Sequence, residues 1–168
     1  MTVLAAPLQL RAATAEDAVR LARLAEQVGG SWNAARYAGS LANGAIAWLW
    51  EAVPLVSTGA DPLAALLRPG VAAAIVAQPA PDDWEVLDLA VAPTCQGQGL
   101  ARALLATAAG AAGAAGAGRL LLEVRASNRR ARAVYAAAGF QHIASRRNYY
   151  PASAAGAAED AIVMALSL

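Results

Sequence analysis

The run LDLAVAPTCQGQGLARALL, residues 87–105, passes from one apolar stretch through a loop holding Gly97 and Gly99 into a second apolar stretch. The apolar run of the first stretch, Leu89 to Val91, suggests a central strand, and the second stretch is long enough for a helix. The unit is therefore strand, glycine loop, helix. Such a loop can be a plain turn, or a place where something comes close to the main chain. At a strand-to-helix junction the first amides of the helix have no internal partner, and the helix dipole adds partial positive charge. A diphosphate needs several such amides at once, and a β-carbon in the loop would hold it away. Glycine at 97 and 99 removes that obstruction, while Gln98 and Leu100 can point elsewhere. The loop favours a ligand that carries a pyrophosphate.

Around this unit the pattern predicts one mixed α/β domain over residues 1–168, without internal repeat or linker. Residues 8–11 read as extended, and Thr14-Ala-Glu-Asp17 resembles a capping box opening a helix. Val19, Leu21, Leu24, Ala25 and Val28 give that helix an apolar face, and Gly29-Gly30 stops it. Ser31 is placed to cap a second helix running towards Asn43, and residues 45–51 read as a strand. Residues 54–70 are less regular and read as an insertion, with Asp61-Pro62 able to start a short helix. Residues 71–78 and 84–91 make two strands joined by QPAPDD. A helix follows from about Gly99 to Ala115. Its glycines at 110, 113 and 116 recur as in collagen, but without interspersed prolines they mark a weakened alanine helix. A strand at 120–124, a helix at 128–138 closed by Gly139, and strands at 140–149 and 161–168 complete the chain, with a loop at 151–158.

Several function classes drop out on composition. The 58% hydrophobic share is carried largely by alanine, and no segment is both long and greasy enough to cross a bilayer, which needs about 20 apolar residues. The start, MTVLAAPLQLR, lacks the basic region and apolar core of a secretory signal. One cysteine, Cys95, excludes an internal disulfide framework, and with the single His142 it argues against a metal site. A net charge of +1 gives no electrostatic case for nucleic acid. The expectation is a cytoplasmic domain with no metal, no nucleic acid and no membrane.

Two diphosphate ligands compete for the loop. For a dinucleotide, Gly97 and Gly99 fit the start of GxGxxG, and Glu123 ends the next strand where a ribose-binding acid belongs. Against it, Arg102 stands at the third glycine position and too little chain follows Glu123 for the second half of a doubly wound sheet. The other ligand is coenzyme A. Gln96-Gly97-Gln98-Gly99-Leu100-Ala101 resembles the Gln/Arg-x-x-Gly-x-Gly/Ala signature of the GNAT acetyltransferases. LLLEVRASNRRARAVYAAAGF (120–140), RRNYYP (146–151) and EDAIVMAL (159–166) resemble the RimI type within that family, and Ser31-Trp32 resembles its Pro-Trp-Ser without the proline.

The resemblance implies the GNAT acyl-CoA N-acyltransferase fold: a mixed, mostly antiparallel sheet splayed between its fourth and fifth strands and flanked by helices. It implies acetyl transfer from acetyl-CoA to a primary amine. For the RimI type that amine is the N-terminal alanine of a small-subunit ribosomal protein, so the partners implied are acetyl-CoA and that protein's N-terminal peptide. Acceptors that are small amines or lysines, and a non-catalytic acyl-CoA-binding module, remain as alternatives.

The residues divide accordingly. Glu123 ends a strand inside LLLEV and faces either solvent or a cleft; resemblance makes it the general base. Tyr135 lies two helical turns after Asn128 on the same face; alone it reads as core filler, and by resemblance it is the general acid and Asn128 a cofactor contact. In this fold the backbone of Leu89, Ala90 and Val91 pairs with the pantetheine arm, and one amide can polarise the thioester carbonyl. Residues Gln96, Gly97, Gln98, Gly99, Leu100, Ala101 and Arg102 hold the pyrophosphate, although Arg102 also suits a solvated helix face. Glu85 is a second candidate base or an amine ligand, and the resemblance at RRNYYP implies that Tyr149, with Tyr150, lines the peptide groove. Arg129, Arg130 and Arg132 read as a solvated helix face, Cys95 as space-filling and His142 as structural.

Overall fold

Leu120, Leu122 and Val124 alternate with Leu121 and Glu123, and the strand they form, β5 (Arg119–Arg125), buries the first set. That period of two is the pattern of a strand with one face on a core. The computed structural model describes residues 7–53, 70–152 and 157–168. Among the described residues seven strands are hydrogen-bonded in the order β1-β2-β3-β4-β5-β7-β6, with four α-helices. The chain divides into two units, residues 1–74 with 89–100, and residues 75–88 with 101–168.

In the first unit β1 (Leu8–Ala12) runs antiparallel to β2 (Ile46–Ala52), pairing Leu8 with Ala52 and Ala12 with Trp48. Helix α1 (Ala18–Gln27) turns Leu21, Leu24 and Ala25 inward and packs on α2 (Ala34–Ala42), whose buried residue is Tyr37. The capping box expected at 14–17 is present: the Asp17 carboxylate accepts the Thr14 amide at 3.0 Å. The helix that follows the Gly29-Gly30 stop is capped by Asn33, not Ser31. Asn33 is the extended residue directly before Ala34, and its oxygen accepts the Arg36 amide at 2.9 Å.

Asp17 does more than cap. It is buried, 2% exposed, and takes two hydrogen bonds from Arg11 and one from Arg20, each at 2.8 Å. Glu51 on β2 binds the same two guanidiniums, at 2.6 Å from Arg11 and 2.7 Å from Arg20. The bonds from Arg11 hold the Asp17 carboxyl well below the usual range and push Glu51 down to about 2. One ion cluster thus ties β1, β2 and the start of α1 together.

In the second unit α3 (Leu100–Ala114) buries Leu104, Leu105, Ala108 and Ala112, one helical stripe. Each such leucine contributes roughly 1.5–3 kcal/mol by leaving water. Strand β4 (Asp83–Val91) follows β3 (Val71–Gln78) and runs parallel to β5, from Asp83↔Arg119 to Val86↔Leu122. That ladder covers residues 83–86 of β4 and 119–122 of β5, while β4 continues to Val91 and β5 to Arg125. Helix α4 (Arg129–Ala137) leads into β6 (Gln141–Tyr150), and β7 (Glu159–Ser167) runs antiparallel between β5 and β6. Among the described residues no helix is long and apolar enough to cross a membrane. The expected insertion at 54–70 lies, but for Gly70, outside the described residues, as do 1–6 and 153–156.

Replacing Asp17 by Asn leaves two guanidiniums short of a carboxylate and is expected to cost about 3 kcal/mol at pH 7. Both carboxyls titrate lower in the folded chain, so their contribution is complete above about pH 4–5 and lost as pH falls towards 2. Urea denaturation should therefore show a wild-type advantage over Asp17→Asn that shrinks across that window.

Candidate active site

Parallel pairing sets Glu85 of β4 opposite Leu121 of β5, while Trp84 and Val86 are buried with Leu120 and Leu122. By alternation Glu85, Leu121 and Glu123 therefore stand on one face of these strands. Glu123 is not an ordinary solvated strand end, since its side chain is only 13% exposed. Its Oε1 lies 3.0 Å from Nε of Arg146 on β6, and the Tyr149 hydroxyl donates a hydrogen bond to the same carboxylate. Glu85 is exposed at one end, yet its pKa is raised, first by desolvation and then by the Glu123 charge, with Arg146 opposing. Two carboxylates and one guanidinium thus form a single electrostatic group.

The local chain of β6 delivers that group. The β6–β7 register pairs Arg146 with Ala161 and then shifts before Tyr150↔Glu159. Within the shift Asn148 adopts φ 51, and its amide donates to Asp160 at 2.8 Å. Asparagine accepts the left-handed region more readily than most residues, and bulges re-aim neighbouring side chains. Here Tyr149 and Tyr150 meet edge to face at 5.3 Å, Arg146 stacks over Tyr149 at 5.3 Å, and Arg125 over Tyr150 at 4.0 Å. RRNYYP flagged the tyrosines; Arg146 and Asn148 were missed. A residue that tolerates positive φ, set just before paired tyrosines, was the available signal.

Tyr135 is the buried residue of α4, with its ring 6.1 Å from Phe140. Burial, then the charge of Asp88, pushes its phenol up to about 12, so it is protonated at neutral pH. Asn128 is the N-cap of the same helix: its oxygen accepts the Ala131 amide at 3.1 Å. That use leaves its side-chain N–H groups as the part able to meet a ligand.

The glycine loop belongs to the first unit. After a single turn at Pro93–Cys95, Gly97 and Gly99 both take φ 80, and a β-carbon built on either meets nothing within 4 Å. The amides of Gly97, Gln98 and Gly99 donate to no backbone carbonyl among the described residues. Open space in front of free donors is what a diphosphate requires, so the residues fit the group the sequence implies. Gln96 turns back to donate to the Val91 carbonyl at 3.1 Å, and Gln98 to that of Thr94 at 3.4 Å. The Val91 oxygen, expected to face a pantetheine arm, thus already accepts one bond. Leu89 and Val91 are half-buried and Ala90 is buried at the end of β4, Leu100 and Ala101 open α3, and Arg102 is exposed on it. Among the described residues no group of three or more His, Cys, Asp or Glu is placed to hold a metal.

Comparison with known proteins adds the family. Residues 32–140 match the acetyltransferase (GNAT) family. The [ribosomal protein bS18]-alanine N-acetyltransferase of Escherichia coli K12 is 43% identical over 98 residues, 58% of this chain and 65% of that protein. Its counterpart in Haemophilus ducreyi is 40% identical over 87 residues, 52% of this chain and 59% of that one. The chain thus spans less than two thirds of the length of these curated relatives. The crystal structure of the Escherichia coli ribosomal-protein-S18-alanine N-acetyltransferase superposes with a TM-score of 0.77 at 29% identity, over 96% of this chain and 94% of that one. Arabidopsis thaliana NAA60, solved with acetyl-CoA, shares the fold with a TM-score of 0.74 at 16% identity, over 96% of this chain and 99% of that one.

Glu123→Gln removes the like charge that contributes to raising Glu85. The Glu85 pKa is expected to fall in that variant while staying above the ordinary glutamate value, because desolvation persists. A 13C NMR titration of the carboxyl carbons reads this directly, and an unmoved Glu85 would separate the two groups.

Proposed function

The chain belongs to the GNAT acetyltransferase family, and on that premise we propose that it moves acetyl from acetyl-CoA to the α-amine of an N-terminal alanine, that of a small-subunit ribosomal protein. The observation that carries the acceptor is the 43% identity to the bS18-alanine enzyme of Escherichia coli. A ribosomal acceptor places the reaction in the cytoplasm.

Acetyl-CoA supplies the activated acetyl group and the thiol that leaves. The backbone at 96–99, with Leu100, Ala101 and the Arg102 charge at the start of α3, holds its diphosphate. Leu89, Ala90 and Val91 offer main-chain groups to the arm, and Asn128 a side-chain N–H. Glu123 accepts the proton of the incoming amine, directly or through one water. An α-amino group has a pKa of about 7.7–8.0, so a carboxylate has little to remove beyond one loosely held proton. Glu85 supplies the second negative charge that draws an ammonium, and Tyr149 lines the place where the peptide enters. Tyr135, held protonated by burial, gives its proton to the departing sulfur and regains one from solvent.

Tyr135→Phe is expected to lower kcat about 10²–10⁴-fold, the usual worth of a placed acid, while calorimetry finds acetyl-CoA affinity changed little. Unchanged turnover removes Tyr135 from the role. Gly99→Val forces an L side chain into φ 80 and points it into the open space before the loop. Acetyl-CoA binding should weaken at least about tenfold, or 1.4 kcal/mol. Acceptors are compared by thiol release with an alanine-led peptide, a polyamine, an aminoglycoside and a lysine peptide blocked at its N-terminus. A preference for any of the last three moves the substrate away from protein N-termini, and release at background with all four makes the chain a binding module.

A further inference from the structure

The Glu85–Glu123 group contains a feature that acetyl transfer does not require. A base that must receive a proton is already bonded, 3.0 Å from its oxygen, to a cation. Arginine keeps its charge at every pH a protein survives, so Arg146 can neither give nor take that proton. It nonetheless occupies a place in front of Glu123 that suits an ammonium. Taking the proposed acceptor as given, we infer that Arg146 is a positioning residue that stands in for the substrate ammonium, holding Glu123 and neutralising the Glu85–Glu123 pair until the amine displaces it.

The geometry supports a displaceable partner rather than a structural one. The Arg146 side chain is 57% exposed while that of Glu123 is 13% exposed, so the cation is the mobile half of the pair. An ion pair open to water on one side adds little net stability and is readily exchanged. Tyr149 offers the guanidinium a resting place at 5.3 Å, beside the carboxylate it would leave. Tyr150 of β6 also feels the Glu123 charge, whereas Arg125, Asp160 and Asp88 on the surrounding strands are engaged elsewhere. Arg125 on β5 is bonded to Glu159 on β7 at 3.2 Å and stacked on Tyr150 of β6. Asp160 on β7 accepts the Asn148 amide at 2.8 Å, and Asp88 of β4 acts on Tyr135 of α4. Arg146 is therefore the cation that acts on both Glu123 and Glu85. Once it leaves, two carboxylates face one ammonium, and Glu123 has no competing donor but Tyr149. A neutral acceptor cannot drive that exchange, so the device selects for amines that arrive charged and lose their proton in place.

The test uses the full chain and the pair Arg146→Gln and Arg146→Lys. In 13C titrations of the free protein, Arg146→Gln should raise the pKa of Glu85, and Arg146→Lys should restore a value near wild type. With an alanine-led peptide, Arg146→Gln should lower KM about threefold or more, because no cation has to be expelled, and move the acid limb of kcat/KM to higher pH. An unshifted Glu85 titration, or a KM that is unchanged or raised, overturns the inference. A wild-type chain that acetylates none of the acceptors overturns the proposed function instead, and the exchange is then read without turnover. The Arg146 Nε resonance should move on adding the peptide with a free N-terminus and not on adding its N-acetylated form; equal response to both, or to neither, rejects the role of Arg146.

Discussion

Parity along two parallel strands governs the rest of the second unit. Leu120, Leu122 and Val124 on β5 and Trp84 and Val86 on β4 must share the buried face, and the register Glu85↔Leu121 follows from that demand. A slip of one residue on either strand would bury a carboxylate and expose a leucine or tryptophan, a cost of several kcal/mol. The carboxylates are therefore brought to one face by hydrophobic burial on the other. Their closeness is a consequence of core packing, and Arg146 makes it tolerable.

The first unit solves a different problem with similar means. Its strands β1 and β2 and its helices bury Leu21, Leu24, Tyr37, Ala47 and Leu49, and a carboxylate buried in the same unit is normally a liability. Asp17 escapes that cost because Arg11, Arg20 and the Thr14 amide satisfy its two oxygens, while Glu51 occupies the remaining guanidinium donors. Directional bonds of this kind fix the angle at which α1 leaves β1, which apolar contact alone does loosely. The glycine loop is the opposite case. Gly97 and Gly99 adopt a backbone that other residues resist, with no side chain of their own to fill the space in front of them.

Period and punctuation made most of the fold legible. The alanine-rich β3 and the helix after the glycine loop were readable because apolar length and glycine or proline boundaries mark them without reference to anything distant. Local capping was harder: Ser31 and Asn33 are both good caps, and which one serves depends on where the chain turns out of the Gly29-Gly30 stop. Glu123, Glu85 and Tyr135 could be named as candidates, yet LLLEV alone left Glu123 between solvent and cleft. Its exposure is decided by Arg146 and Tyr149, on a strand that among the described residues joins the sheet through β7. Partners across a non-adjacent strand leave no spacing in the sequence. The bulge at Asn148 is invisible for the same reason, since it exists only against the β7 register.

The height of the Tyr135 pKa constrains the proposed reaction more tightly than its identity does. A phenol raised by burial is a weaker acid than a free thiol, so full proton transfer to a solvated thiolate would be uphill. Burial removes most of that mismatch, because the desolvation that raises the phenol also raises a thiolate placed beside it. The transfer then becomes balanced only as the carbon–sulfur bond lengthens and charge collects on sulfur. In the proposed reaction Tyr135 would accordingly be a poor acid before bond cleavage and an adequate one during it, which would tie proton donation to the transition state rather than to the resting complex. An exposed tyrosine at that position would have the lower pKa and still be the weaker catalyst, because the water that lowers it would also solvate the leaving group and remove the need for its proton.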